Sequence, residues 1–93
     1  MSQKAQVRHI LVNDHAICEE LKQDILNGKS FVEIAANFSE CPSGVDGGDL
    51  GVFSPGQMLA EFEDLCFNAK IGALHGPVET EFGYHLIEIV RRN

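Results

Sequence analysis

Cys41 in a turn-forming run, His9 and His85 inside two apolar, strand-like runs, and Met58 and Phe62 four residues apart are the side chains of this 93-residue chain best suited to chemistry. A thiol and two imidazoles bring hydrogen bonding and partial charge near neutral pH. A methionine and a phenylalanine at i and i+4 of a helix share one apolar surface. Together they would make an apolar cup with a small polar floor, a shape that suits a proline ring. The runs that carry them extend over nearly the whole chain: His9-Ile10-Leu11-Val12, Cys41-Pro42-Ser43-Gly44, Gly47-Gly48-Asp49-Leu50-Gly51, Ser54-Pro55-Gly56-Gln57-Met58 and Phe82-Gly83-Tyr84-His85.

The elements that must hold these groups follow from periodicity. Gln6 to Val12 alternates Val7, His9 and Leu11 against Arg8, Ile10 and Val12, which predicts a strand. Asn13 and Asp14 can cap a helix that carries Ile17, Leu21 and Ile25 on one face and stops at Asn27-Gly28. Ser30 with Glu33 matches a capping box ahead of Ile34, Ala35 and Phe38, which gives a short second helix. Ser39 to Gly48 is a loop of turn formers whose glycine pair, Gly47-Gly48, allows positive φ or close backbone approach, and Asp49 to Phe53 is extended. Ser54-Pro55-Gly56-Gln57 fits a type II turn, with Pro55 presetting φ and Gly56 tolerating a positive φ. Met58, Phe62, Leu65 and Cys66 then recur at helical spacing until Gly72 and Gly76-Pro77 end the element. Two extended runs follow, Val78 to Thr80 and Tyr84 to Val90, the second placing His85, Ile87 and Ile89 on one face. The order β-α-α-β-α-β-β predicts an α+β layer sandwich with a small, mostly antiparallel sheet, in one domain over residues 1–93.

Bulk properties narrow the function. Apolar residues make up 44% and charged residues 23% of the chain, which reads as soluble and globular. Seven basic against fourteen acidic side chains give a net charge of −7, which argues against nucleic acid and anionic lipid as partners. No apolar stretch reaches the roughly 18 residues of a membrane span, and Met1 to Gln6 has no signal-peptide core, so a cytoplasmic location is expected. Cys18, Cys41 and Cys66 are odd in number and widely spaced, so neither a disulfide framework nor a zinc finger is readable. His15 and His75 fall in predicted turns without metal-ligand spacing. Neither metal nor cofactor is expected, and the even surface pattern favours a monomer.

In type, order and spacing, the motifs from Val7 to Arg92 resemble the parvulin family of peptidyl-prolyl cis/trans isomerases, and the length is similar to that of its stand-alone bacterial members. The resemblance implies a four-stranded antiparallel sheet surrounded by helices, with the active site in a groove on the sheet. It implies that His9 and His85 are the histidine pair, that Cys41 is the active-site thiol, and that Met58, Phe62 and Leu50 form the proline pocket. Thr80 matches a hydroxyl position beside the histidines, and Phe82 a position on the pocket rim. Ala73 and His75 depart from the family pattern at peripheral positions. The link Asn13-Asp14-His15 is shorter than in phospho-specific members and lacks their arginine and lysine.

The expected function is isomerisation of unphosphorylated X-Pro bonds in proline-containing peptides and in unfolded or loop segments of proteins. Cys41 admits three readings, as a nucleophile, as a polar group that disfavours a planar carbonyl, or as a turn residue, and the second is preferred. Two other functions compete: a peptide-binding, chaperone-like module with little turnover, and a cysteine hydrolase, which lacks a recognisable nucleophile signature. Outside the family register, Met58 and Phe62 would read as an ordinary core stripe, and Cys18 and Cys66 as small core hydrophobes.

Overall fold

A computed structural model describes residues 4–57 and 60–92, without the side chains of residues 61 and 62. Its strands are β1 (Ala5–Val12), β2 (Asp49–Phe53), β3 (Leu74–Thr80) and β4 (Gly83–Arg92), and its helices α1 (His15–Leu26), α2 (Phe31–Phe38) and α3 (Ala60–Asn68). The strands form one sheet in the order β2-β1-β4-β3, every neighbouring pair antiparallel.

Period two in β1 and β4 feeds two cores, one on each face of the sheet. Ile10, Val12 and Leu86 meet Cys18 and Leu21 of α1 and Phe31, Ile34 and Ala35 of α2. Ala5, Val7, Ile87 and Ile89 meet Phe53 and Cys66, with Leu50, Leu65 and Phe67 packed against them. Central strands covered by helices on both faces can therefore read as nearly continuous apolar runs.

The expected N-cap side chains act at the starts of α1 and α2. The Asp14 carboxylate accepts the Ile17 N–H at 3.1 Å, and the Ser30 hydroxyl accepts the Glu33 N–H at 3.2 Å. The Ser54 to Gln57 turn closes with the Gln57 N–H on the Ser54 carbonyl at 3.3 Å, and Gly56 has φ of +94°.

Several expectations are corrected. Ile17 is 45% exposed, because the buried stripe of α1 starts at Cys18 and continues through Leu21, with Ile25 packed beside it. Phe38 is 54% exposed, since it ends α2 where the chain leaves for the loop that leads to β2. The loop from Ser39 contains a short 3₁₀ helix over Pro42–Asp46.

The final hairpin is longer than expected, and Gly76-Pro77 lies inside β3 instead of ending the element before it. The Gly76-Pro77 peptide is cis. Leu74 pairs with Glu88 and His75 with Ile87, but the register then slips, so that Val78 faces His85 and Thr80 faces Gly83. Gly76 and Pro77 thus form a bulge on an edge strand, where a missing N–H is tolerated.

Candidate active site

β1 and β4 bring His9 and His85 together. The registers His9 to Ile87 and Leu11 to His85 make the two histidines diagonal neighbours on one face of the sheet. Both are 5% exposed. Their Nδ1 atoms lie 3.1 Å apart, with the rings stacked at 5.3 Å and 18°. Nε2 of His85 lies 2.7 Å from Thr80 Oγ1, which also accepts the Phe82 N–H at 3.2 Å.

A line of polar groups therefore runs from Thr80 through His85 to His9. With both imidazoles neutral, two proton arrangements satisfy it. Thr80 O–H can donate to His85 Nε2 while His85 Nδ1–H donates to His9, or His9 Nδ1–H can donate to His85 while His85 Nε2–H donates to Thr80. The first needs a neutral His9, whose Nδ1 must accept. Burial, and then the neighbouring His85, push the His9 pKa down from 6.5 to about 4. His9 is neutral at physiological pH and does not act there as a proton donor from a cationic form.

The Cys41 segment is fastened to β1 beside this pair. The Glu40 N–H donates to the Leu11 carbonyl at 2.7 Å, and the Glu40 carboxylate accepts the Asn13 N–H at 2.9 Å. The Ser39 hydroxyl accepts both the Leu11 N–H at 3.1 Å and the Cys41 N–H at 3.3 Å. Cys41 is a half-buried free thiol, and Ser43 Oγ donates to its sulfur at 3.2 Å. The far end of the same loop returns to β1 through the His9 N–H on the Gly48 carbonyl at 2.9 Å. Gly48 has φ of +88°, and a Cβ there would collide with the His9 backbone, so a side chain is excluded on two grounds.

Leu50 is half-buried against the core that contains Val7 and Ile87, on the same face as the histidines. Phe82 is 62% exposed at the β3–β4 turn. Met58 and the Phe62 side chain lie outside the described residues. Cys18 and Cys66 are buried, and burial raises their thiol pKa values to about 11 and about 12, so both are inert packing groups. Among the described residues, no cluster of three or more His, Cys, Asp or Glu could hold a metal ion.

The fastening role of Ser39 is not legible in the sequence, where it counts only as a turn former, whereas the positive φ and close backbone approach expected of the Gly47-Gly48 pair are met at Gly48. A hydroxyl two residues before the thiol is the signal available for Ser39.

Residues 9–91 match the family model of the rotamase, PPIC-type PPIASE domain. The chain is 42% identical over 87 residues to the foldase protein PrsA of Geobacillus sp. strain WCH70, a match that covers 92% of this chain and 32% of that protein. It superposes with a TM-score of 0.94 on the crystal structure of the peptidylprolyl isomerase PrsA from Bacillus anthracis, at 36% identity, covering 99% of this chain and 43% of that one. It superposes with a TM-score of 0.83 on the solution structure of NmPin, the parvulin of Nitrosopumilus maritimus, at 32% identity, covering 96% of this chain and 97% of that one. The chain thus spans about a third of the length of the foldase it matches and nearly all of the parvulin of Nitrosopumilus maritimus.

Proposed function

This chain belongs to the rotamase family of PPIC-type PPIase domains, and on that footing we propose that it isomerises unphosphorylated X-Pro bonds in unfolded or loop segments of client polypeptides and so assists their folding. The observation that carries the reading is the line from half-buried Thr80 through buried His85 to a buried, neutral His9, at 2.7 Å and 3.1 Å. Rotation about an X-Pro bond meets a barrier of about 18–20 kcal/mol and takes tens to hundreds of seconds, slow enough to limit folding. At the top of the barrier the amide is twisted, its charge separation is reduced, and its nitrogen can accept a hydrogen bond. A mostly apolar site can therefore favour this state without a covalent step.

In this reading Met58, Phe62 and Leu50 hold the proline ring, with Phe82 on the rim, and the preceding carbonyl is the part that moves. His9, His85 and Thr80 form a fixed polar floor that acts by orientation and electrostatics, not by transferring protons. Cys41 is a polar group whose sulfur disfavours the planar, charge-separated carbonyl. Even a 10⁵-fold acceleration requires only about 7 kcal/mol of preferential binding to the twisted amide.

The substrate preference rests on charge. The segment from Ser30 to Ala69 carries seven acidic residues and no Lys or Arg, and the two-residue link between β1 and α1 is Asn13-Asp14. A phosphate before proline would gain no charge-assisted hydrogen bond from these segments and would meet repulsion. The same acidity supports a monomer that engages neither nucleic acid nor anionic lipid.

Turnover separates an isomerase from a module that only grips peptide. A protease-coupled assay on an Ala-Pro peptide, run beside a binding titration, is expected to show catalytic acceleration at enzyme concentrations far below substrate. Saturable binding with no acceleration would support the grip instead.

A further inference from the structure

We propose that Lys22 is a positioning residue of the isomerase site, acting through the register of β3 with no contact to substrate. The proposal deepens the isomerase reading and rests on it. Its starting point is a mismatch of faces along one strand. Leu74 and Val78 are four residues apart and would share a face of an unbroken strand. Leu74 instead packs with the core under α1 and α2, and Val78 with the core on the α3 side.

The bulge at Gly76-Pro77 makes the difference. Continued without a slip, the pairing of Leu74 with Glu88 and His75 with Ile87 would set Pro77 opposite His85 and turn Thr80 to the other face. With the extra residue, Val78 faces His85, and Thr80 joins the face from which its hydroxyl reaches His85 Nε2 at 2.7 Å. The polar floor of the site therefore depends on the bulge.

Two features hold the bulge in place. Gly76 has φ of +120° and packs so closely on the His85 carbonyl that a Cβ there would collide with it. From the other side, half-buried Lys22 on α1 donates from Nζ to the Gly76 carbonyl at 2.6 Å. A bulge takes backbone groups out of the regular ladder, and a cationic donor makes a stronger partner than a neutral one. Lys22 thus ties α1 to the one point of β3 where the register is decided.

The test compares Lys22→Met, which keeps the apolar stem without the donor, with Lys22→Arg, which keeps a donor. Readouts are kcat/KM on an Ala-Pro peptide and the His85 ring nitrogens by ¹⁵N NMR. Lys22→Met is expected to stay folded, to lose about tenfold in kcat/KM, and to move the His85 Nε2 signal toward its position in Thr80→Val. Lys22→Arg should restore both. In a Thr80→Val background, Lys22→Met should cost little more, because the contact it protects is already gone.

A folded Lys22→Met with parent His85 signals and parent turnover would overturn the proposal. So would losses that simply add to those of Thr80→Val, or a Lys22→Met that does not fold, which would make Lys22 a general stability residue. An inactive parent enzyme would count against the isomerase reading, while the His85 signals would still decide the role of Lys22 in register.

Discussion

Thr80 and His85 meet across the β3–β4 ladder, hydroxyl to imidazole at 2.7 Å, five residues apart in sequence and joined by a tight turn. The hydroxyl is anchored in turn by the Phe82 N–H at 3.2 Å. Thr80→Val keeps the β-branched shape and removes the polar atom, leaving His85 Nε2 without this partner. We expect a stability loss of about 1–2 kcal/mol and a fall of about tenfold in kcat/KM, with Thr80→Ser near the parent. Urea denaturation and exchange kinetics on a proline peptide measure both; full activity in a folded Thr80→Val would remove Thr80 from the site.

The pKa of His9 makes a signed prediction about stability. Its folded value of about 4 lies below the ordinary 6.5, so the unfolded chain binds the proton more readily between those values. The resulting stabilisation is complete above pH 6.5 and is lost as pH falls toward 4, by up to about 3 kcal/mol. Carboxylates also titrate at the acid end, so the informative quantity is the difference between the parent and His9→Gln. The curve of the variant should be flatter over this window, and parallel curves would show that His9 is not held neutral by the fold.

For Cys41, Asp is the discriminating substitution. A polar or charged group that disfavours the planar carbonyl should leave Cys41→Asp with substantial turnover. A nucleophile would tolerate neither Asp nor Ser. Loss of all turnover in folded Cys41→Asp, with a substrate adduct trapped on the parent thiol, would establish covalent chemistry instead.

The proline cup proposed for Met58 and Phe62 gives a fourth prediction. Each truncation to alanine should lower kcat/KM by at least tenfold, because packing around the ring is used more fully in the twisted state than in the ground state. Thermal melts should move far less than the buried-core average for such changes. Parent rates in both folded variants would show that the pocket lies elsewhere.

Much of this arrangement was legible because strand periodicity is simple. Alternation put His9 with Val7 and His85 with Ile87, and an antiparallel β1–β4 pair then makes the histidines neighbours. Caps at Asp14 and Ser30 were readable because one side chain and one N–H suffice. The bulge was not readable, since Gly76-Pro77 carries the same local signal whether it ends an element or sits within an edge strand. Only the pairing with β4 distinguishes the two. Exposure of Ile17 was missed for a similar reason. Stripes starting at residue 17 or 18 share Leu21 and Ile25, and the packing of α1 on the sheet selects Cys18. Ser39 and Lys22 act on backbone atoms 28 and 54 residues away in sequence, and no local pattern announces such contacts.

The central claim is tested most directly by NMR exchange on four otherwise identical peptides, with Leu, Ala, Glu or phosphoserine before proline, at two salt concentrations. Catalysed exchange is expected to be fastest for Leu-Pro and Ala-Pro, slower for Glu-Pro and slowest for phosphoserine-Pro. Added salt should narrow the gaps as screening over about 8–10 Å weakens the repulsion. No acceleration on any peptide would contradict the isomerase, and phosphoserine-Pro exchanging faster than Ala-Pro would contradict its preference for unphosphorylated bonds.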